Sequence, residues 1–279
     1  MPKITDFITK NLQDFPNIKQ DDLEYVITER MELTPSEFEM KKSEELTDDL
    51  AKQLKKDLKK LNRGVSPQYI IGYSWFYGMK IEVQRGVLIP RFETEELVHW
   101  ASENVKADDR VLDLGTGSGC ITVALHKLAK EKNLAYYASD ISDTALRVAE
   151  ENFLTYGVDA IVRKANILIG LEKFDCIISN PPYIKETEKG YMDQNVLENE
   201  PNEALFAGED GLAFYKRFAK QVTDHLNPGG QFFLEFGFQQ KEDLEKLLTE
   251  ALPNFEFEFK KDMAGHWRMV HGKMINNEN

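Results

Sequence analysis

Two short stretches bring together the residue types that chemistry requires. Asn180-Pro181-Pro182-Tyr183 follows an apolar run, Phe174–Ser179, that reads as a buried strand. Asn180 offers a side-chain oxygen, Pro181 a backbone carbonyl with no competing N–H and a fixed φ, and Tyr183 a flat ring face. Two acceptors and a flat face grip a planar group that carries N–H bonds, an amide or an aromatic amine. Such a nitrogen is a poor nucleophile because its lone pair is delocalised, so reaction there depends on placement in a dry site. The second stretch is Asp113-Leu114-Gly115-Thr116-Gly117-Ser118-Gly119, between the strand Arg110–Leu114 and a helix from Cys120. Three glycines at every second position suit a backbone that turns sharply and lets a ligand approach with no Cβ in the way. Their spacing departs from the GxGxxG of dinucleotide sites, and no lysine follows as in the phosphate-cradling GxxxxGK[ST] loop.

Other residues extend the ligand reading. Asp140 closes the next strand, Tyr136–Asp140, about twenty residues beyond the glycines, where a carboxylate accepts ribose hydroxyls. Capping the following helix is its alternative role, although Ser142 also serves that purpose. Asn166 and Ile167 end a third strand, where by the same geometry an adenine ring would fall, the amide on its exocyclic amine and the aliphatic side chain on its face; an ordinary turn residue is the alternative role of Asn166. Asp113 is expected to orient the glycine-loop amides and the ammonium of a ligand.

These groups need elements to hold them. Before residue 74 the sequence reads as short helices: Thr34-Pro35-Ser36-Glu37 is a capping box with proline at the first helical position, Thr47–Leu61 has leucines at helical spacing, and Ser66-Pro67 starts a turn of helix closed by Gly72. Trp75–Ile89 is rich in aromatic and β-branched residues and reads as a hairpin. Beyond it, strands expected at 110–114, 136–140, 161–164, 174–179, 231–236, 255–260 and 268–271 alternate with helices expected at 120–130, 143–156, 212–226 and 241–251. That alternation predicts an α/β fold, a parallel sheet covered by helices on both faces. The segment 184–211 is acidic, lacks periodicity and is long for a connection, as functional loops are. The expected domains are therefore 1–74, a helical unit; 75–88, the hairpin linker; and 89–279, the α/β domain.

With 279 residues, 42% hydrophobic and 30% charged, the chain is long enough for a core without disulfide or metal staples. A net charge of −13 lacks the broad basic field on which sequence-independent nucleic-acid binding relies. Its two cysteines, Cys120 and Cys176, form no metal-ligand pattern and read as small buried residues. The five histidines are scattered without ligand spacing, and the lysines of 52–60 read as a solvated helix face. With neither a signal peptide nor a run of 18 apolar residues, a cytoplasmic protein with no membrane contact is expected.

The glycine loop resembles the D-x-G-x-G-x-G loop of S-adenosylmethionine-dependent methyltransferases, and NPPY occurs among those that methylate adenine in DNA, guanine in RNA and glutamine in protein. A second motif chooses among them. Val87-Leu88-Ile89-Pro90-Arg91-Phe92-Glu93-Thr94-Glu95, with Gln68–Gly72 upstream, resembles the PrmC/HemK family, the protein-(glutamine-N5) methyltransferases of peptide chain release factors. The likeness continues through Glu200-Pro201, Asn227–Gly230, Glu235 with Gly237, and Asp262, Gly265 and Arg268. The family usually has proline where Phe92 stands and often an aromatic residue where Ile167 stands. The resemblance implies a seven-stranded Rossmann-like methyltransferase domain with an antiparallel last strand, preceded by a small helical bundle and a β-hairpin. It implies S-adenosyl-L-methionine as cofactor, held by Asp113, Gly115, Thr116, Gly117, Ser118, Gly119, Asp140, Asn166, Ile167 and Asn180. Asn180, Pro181, Pro182 and Tyr183 are the expected catalytic set, acting on the glutamine of the Gly-Gly-Gln loop of a class I release factor. A monomer with no direct nucleic-acid partner is expected. The alternatives are an amino-methyltransferase of nucleic acid, which requires a basic groove and a base-recognition insert, and a catalytically silent cofactor-binding protein, in which NPPY has no reason to be whole.

Overall fold

The computed structural model describes residues 2–192 and 194–275; residues 1, 193 and 276–279, which fall within the expected domain spans, lie outside the described residues. The chain divides into two compact units, Met1–Tyr73 with Met192–Glu200, and Ser74–Tyr191 with Pro201–Asn279.

The first unit contains α1 (Ile4–Asp14), α2 (Gln20–Arg30), α3 (Pro35–Lys41), α4 (Asp48–Leu61), α5 (Pro67–Ile71) and, from the later segment, α9 (Gln194–Asn199). Local chemistry sets several of their ends. At the start of α3 the Thr34 hydroxyl accepts the Glu37 N–H at 3.3 Å while the Glu37 carboxylate accepts the Thr34 N–H at 2.8 Å. Thr47 caps α4, and α5 stops at Gly72 in a left-handed conformation, φ 97°. Leu54, Leu58 and Leu61 of α4 pack into a core with Ile4, Leu23 and Ile27. Asp57 is fully buried on α4 and accepts from Arg30 Nε at 2.9 Å, so that its charge is paired. The lysines of α4 face solvent.

The second unit carries the hairpin strand β2 (Met79–Glu82), paired to β1 (Tyr73–Phe76), and a seven-stranded sheet of β3 (Arg110–Leu114), β4 (Ala135–Asp140), β5 (Ala160–Lys164), β6 (Phe174–Ser179), β7 (Leu226–Glu235), β8 (Phe255–Lys261) and β9 (Trp267–Met274). The order is β5-β4-β3-β6-β7-β9-β8. The strands pair in parallel except at β9, which runs antiparallel to both β7 and β8. Central strands are apolar on both faces, as a sheet covered twice requires. Val111, Cys176, Ile178 and Phe233 belong to one core with α6 (Phe92–Asn104), α7 (Cys120–Leu128) and α8 (Asp143–Tyr156). Leu112, Ile177, Phe232 and Leu234 belong to the other, with α11 (Ala213–Ala219), α12 (Val222–His225) and α13 (Lys241–Ala251). The short α10 (Asn202–Leu205) follows the connection from β6. Parallel strands with helices on both faces put the carboxyl ends of β3, β4, β5, β6 and β7 along one edge, where open α/β sheets bind ligands.

Several expected boundaries differ. The hairpin turns at Tyr77-Gly78, both at positive φ (51° and 68°), so its strands lie at 73–76 and 79–82 and not across 75–89. Two residues at positive φ make the tight turn whose twist suits paired strands, whereas Gly86 belongs to a separate bend. The helix expected over 212–226 is two helices, because Gln221 leaves the helical ladder and its side chain accepts the Leu168 N–H at 3.1 Å. β7 starts at Leu226 and not at Gln231. Leu226 pairs with Phe174 before the Asn-Pro-Gly-Gly stretch, and a register shift between Phe174 and Cys176 absorbs the irregularity. α6 was not expected at all, and the segment 184–211 contains short helices.

Candidate active site

The carboxyl ends of the strands enclose a cavity of about 410 Å³, within the range of about 300–1,000 Å³ common to small-molecule sites. Of the residues expected there, Gly115, Thr116, Gly117, Ser118, Asp140, Asn166, Ile167, Asn180, Pro181 and Pro182 line it. Asp113, Gly119 and Tyr183 do not.

The glycine loop is pinned from below. The N–H groups of Gly115 and Thr116 donate to Ser139 O at 2.8 and 2.9 Å, and Ser179 Oγ donates to Leu114 O at 2.6 Å. Gly115 and Gly117 have φ of 73° and 56°, and a Cβ built on either meets nothing within 4 Å. Their lack of a side chain therefore leaves open space on the cavity side. Gly119 is glycine for another reason: its Cβ would stand 2.7 Å from the Phe153 ring and 3.2 Å from Ala149 Cα, at φ 79°. It lets α8 approach the start of α7. Gly119→Ala is accordingly expected to destabilise the fold by roughly 2–4 kcal/mol, from left-handed strain and overpacking together. A lowered midpoint in denaturant unfolding, at unchanged slope, is the check.

Asp113 lies behind the loop. One carboxylate oxygen accepts the hydroxyls of Thr116 at 2.7 Å and Thr122 at 2.9 Å, together with the Thr122 N–H at 3.3 Å. The other, Oδ1, has no hydrogen-bond partner among the described residues. Burial pushes this carboxyl up to about 6, opposed by the Thr116 and Thr122 hydrogen bonds. Asp140 Oδ2 accepts the Gly117 N–H at 3.0 Å and Oδ1 the Ser142 N–H at 2.9 Å, while Ser142 Oγ caps α8 by accepting the Ala145 N–H. Asn166 Oδ1 accepts from Arg217 at 2.7 Å. Ile167 sits at φ 59°, a strained conformation for a β-branched residue, of the kind that clusters at ligand sites.

Beside Asn180 runs a chain of buried polar groups. Asn180 Nδ2 donates to Thr94 Oγ1 at 2.9 Å, Thr94 Oγ1 donates to Glu235 Oε2 at 2.7 Å, and the Tyr183 hydroxyl donates to Glu235 Oε1 at 3.1 Å. Thr94 and Glu235 are 2% and 1% exposed, so this hydrogen bonding takes place out of water. Burial pushes the Glu235 carboxyl up to about 7, with the Thr94 hydrogen bond, the Arg268 charge and the Tyr183 hydroxyl pulling the other way. Tyr183 thus supports the cavity wall where its ring was expected to form part of it. Burial first, then Glu235, raises its phenol. Gln240 Nε2 holds the Tyr183 carbonyl at 2.8 Å.

Sequence reasoning assigned no role to Thr94, Glu235, Gln240, Arg217 or Asn152. Asn152, wholly buried on α8, exchanges two hydrogen bonds with the Glu82 backbone and donates to Ser118 O at 2.8 Å, tying the hairpin to the glycine loop. A single amide inside an apolar helix face was the available signal. For Glu235 it was an acidic residue ending a run of buried apolar ones.

Among the described residues no group of three or more His, Cys, Asp or Glu side chains is arranged for a metal, and no helix is long and apolar enough to cross a membrane. The sheet order and the loop at its switch point define a methyltransferase of Rossmann-like fold. A family model described as the methyltransferase small domain matches residues 93–208, and one described as the PrmC N-terminal domain matches residues 7–72. The chain is 39% identical over 251 residues to the release factor glutamine methyltransferase of Streptococcus pneumoniae, covering 89% of each. With the release factor glutamine methyltransferase of Lactococcus lactis it shares 37% over 254 residues, covering 90% of this chain and 93% of the relative. The chain belongs to the release factor glutamine methyltransferase family. In fold alone, it is similar to a crystal structure of a methyltransferase from Pyrococcus furiosus, with a TM-score of 0.53 at 20% identity over 72% of this chain and 91% of that one.

Proposed function

We propose that this enzyme transfers the methyl group of S-adenosyl-L-methionine to the side-chain amide nitrogen, N5, of the glutamine in the Gly-Gly-Gln loop of class I peptide chain release factors, and so modulates translation termination. The observation that carries this reading is the orientation of Asn180. Its N–H₂ is committed to Thr94, so its oxygen is the atom left to accept from an amide in the cavity.

The residues present fit the cofactor. Gly115 and Gly117 leave a cradle that side chains would fill, suited to its methionine part. Asp140 has further lone pairs for the ribose hydroxyls, and Asn166, oriented by Arg217, stands with Ile167 where the adenine belongs. Asp113 Oδ1, without a partner, lies behind the loop and acts through it. When bound, the cofactor supplies an electrophilic methyl on a sulfonium.

The chain's own residues place the glutamine. Asn180 Oδ1 and the Pro181 carbonyl take its two N–H bonds, and Pro182 stiffens that turn. On accepting a methyl group the glutamine nitrogen would become acidic and its proton would pass to solvent, so no strong base is required beside Asn180 and the Pro181 carbonyl. The enzyme is proposed to work as a cytoplasmic monomer, without membrane or direct nucleic-acid contact.

The test is transfer of labelled methyl from S-adenosyl-L-methionine to a release factor, to that factor with its loop glutamine changed to alanine, and to undermethylated DNA and RNA, with mass spectrometry to locate the product. Label on the wild-type factor and none on the alanine variant is expected. Label on nucleic acid alone would overturn the reading.

A further inference from the structure

We propose that Thr94 and Glu235 are positioning residues that fix which way round the Asn180 amide faces, and that the charge on Glu235 switches the acceptor toward the cavity. This rests on the glutamine reading above, in which Asn180 Oδ1 receives the substrate amide. A hydroxyl has one proton to give. With Glu235 ionised, Thr94 gives that proton to Glu235 Oε2 at 2.7 Å, and its oxygen can only accept from Asn180, which it does from Nδ2 at 2.9 Å. The nitrogen of Asn180 is held at Thr94 and the oxygen is turned away from it. A protonated Glu235 reverses the chain: it donates to Thr94, Thr94 donates to Asn180, and the amide turns its N–H₂ toward the cavity. Two N–H₂ groups then face one another and the substrate loses an acceptor.

The surroundings make Glu235 the member of the chain able to change charge. Thr94 and Glu93 of α6, Cys120 of α7, Tyr183 beyond β6, Tyr215 of α11 and Arg268 of β9 stand around it. Arg268 favours the ionised form but is shared with Asp262, 3.1 Å from its Nε. Glu93 and burial favour the neutral form, and the carboxyl lies at about 7, where cellular pH titrates it. Tyr183 and Tyr215 stay protonated, since burial raises both phenols, and so does Cys120, pushed up to about 12 by burial. The second oxygen of Glu235 is occupied by the Tyr183 hydroxyl, which leaves Oε2 to control Thr94.

In the wild-type enzyme kcat is expected to fall as pH drops through about 7 and Glu235 takes up its proton. Thr94→Val, which keeps the shape and removes the hydroxyl, is expected to lower kcat about 10- to 100-fold. Its affinity for S-adenosyl-L-methionine, measured by calorimetry, should be unchanged, which also reports that it folds. Thr94→Ser restores the hydroxyl and is expected to restore kcat. Glu235→Gln does not titrate and has one acceptor oxygen for the two hydroxyls of Thr94 and Tyr183, so it is expected to keep a reduced rate without the acid limb. A second readout needs no acceptor protein: the Asn180 side-chain amide resonance, assigned by its loss in Asn180→Ala, should move with pH in the wild type and not in Glu235→Gln. Wild-type kcat in Thr94→Val, an acid limb that persists in Glu235→Gln, or an Asn180 resonance indifferent to pH would each overturn the proposal. Absence of any methylation of release factors by the wild type would instead sink the glutamine reading, and the resonance measurement would still decide the orientation of Asn180.

Discussion

Asn180→Ala is expected to bind S-adenosyl-L-methionine almost as the wild type does and to transfer methyl at least about 10²-fold more slowly, the usual loss when one preorganised polar group is removed from a reacting centre. In the proposed function the glycine loop and Asp140 carry the cofactor, and among the described residues neither hydrogen-bonds to Asn180: the loop hangs from Ser139 and Asp140. In the proposed geometry the truncation removes one of two acceptors for the glutamine N–H bonds and leaves the Pro181 carbonyl, so a residual rate should remain. It also leaves the Thr94 hydroxyl without its Nδ2 partner, beside the cavity that Thr94 lines. The loss should fall on kcat at saturating release factor, because the misplaced amide is bound and not reactive. Asn180→Asp keeps an acceptor but sets a second carboxylate across Thr94 from Glu235, with one hydroxyl proton between them. Its rate should recover only in part. Calorimetric titration with cofactor beside steady-state methyl transfer separates binding from turnover. An active Asn180→Ala would remove Asn180 from the reaction.

What could be read in advance divides along the range of the interactions. The glycine loop, the end of β4 at Asp140 and the end of β6 at Asn180 are local: strand period, glycine spacing and a tetrapeptide place them without knowledge of the rest of the chain. The same is true of the Thr34 capping box and of α8 and α13, whose observed limits are those expected, Asp143–Tyr156 and Lys241–Ala251. The Thr94–Glu235 bond joins residues 141 positions apart and depends on α6 lying against β7, which no local pattern states. α6 itself escaped notice because its N-cap, Arg91, supplies no side-chain hydrogen bond and its buried positions Thr94, Leu97, Val98, Trp100 and Ala101 mix polar and apolar residues. Gly119 shows the opposite limit. Its residue type was legible, but the reason for it, the Phe153 ring, belongs to another helix. Tyr183 likewise belongs to the motif by sequence and to the supporting polar chain by geometry.

Asp140 gives the other large effect. Asp140→Ala is expected to weaken S-adenosyl-L-methionine binding by about 10²-fold or more, since two hydrogen bonds from ribose hydroxyls to a carboxylate are lost and each is worth about 1.5–3 kcal/mol. The carboxylate also accepts the Gly117 N–H, so the variant loosens the loop at the very glycine that lines the cavity. The helix that follows should survive, because Ser142 Oγ supplies its cap independently. The effect therefore belongs in the cofactor Kd and KM, with a smaller change in kcat once cofactor saturates, the reverse of the Asn180→Ala pattern. Asp140→Asn keeps the size but replaces an acceptor by a donor at one position, and should recover little of the affinity. Burial raises the Asp140 carboxyl, while the Ser142 and Gly117 N–H groups oppose the rise. The ionised form accepts from Gly117 and, in the proposed function, from the ribose, so affinity is expected to hold at neutral pH and to be lost as pH falls, beginning above the range of an ordinary carboxylate. Calorimetry from pH 7.5 downward should show this loss in the wild type, and Asp140→Ala, already weak, should lack that limb. A Kd for Asp140→Ala equal to that of the wild type would leave Asp140 as a partner of Gly117 and Ser142 alone, and the ribose would need another acceptor on the cavity wall.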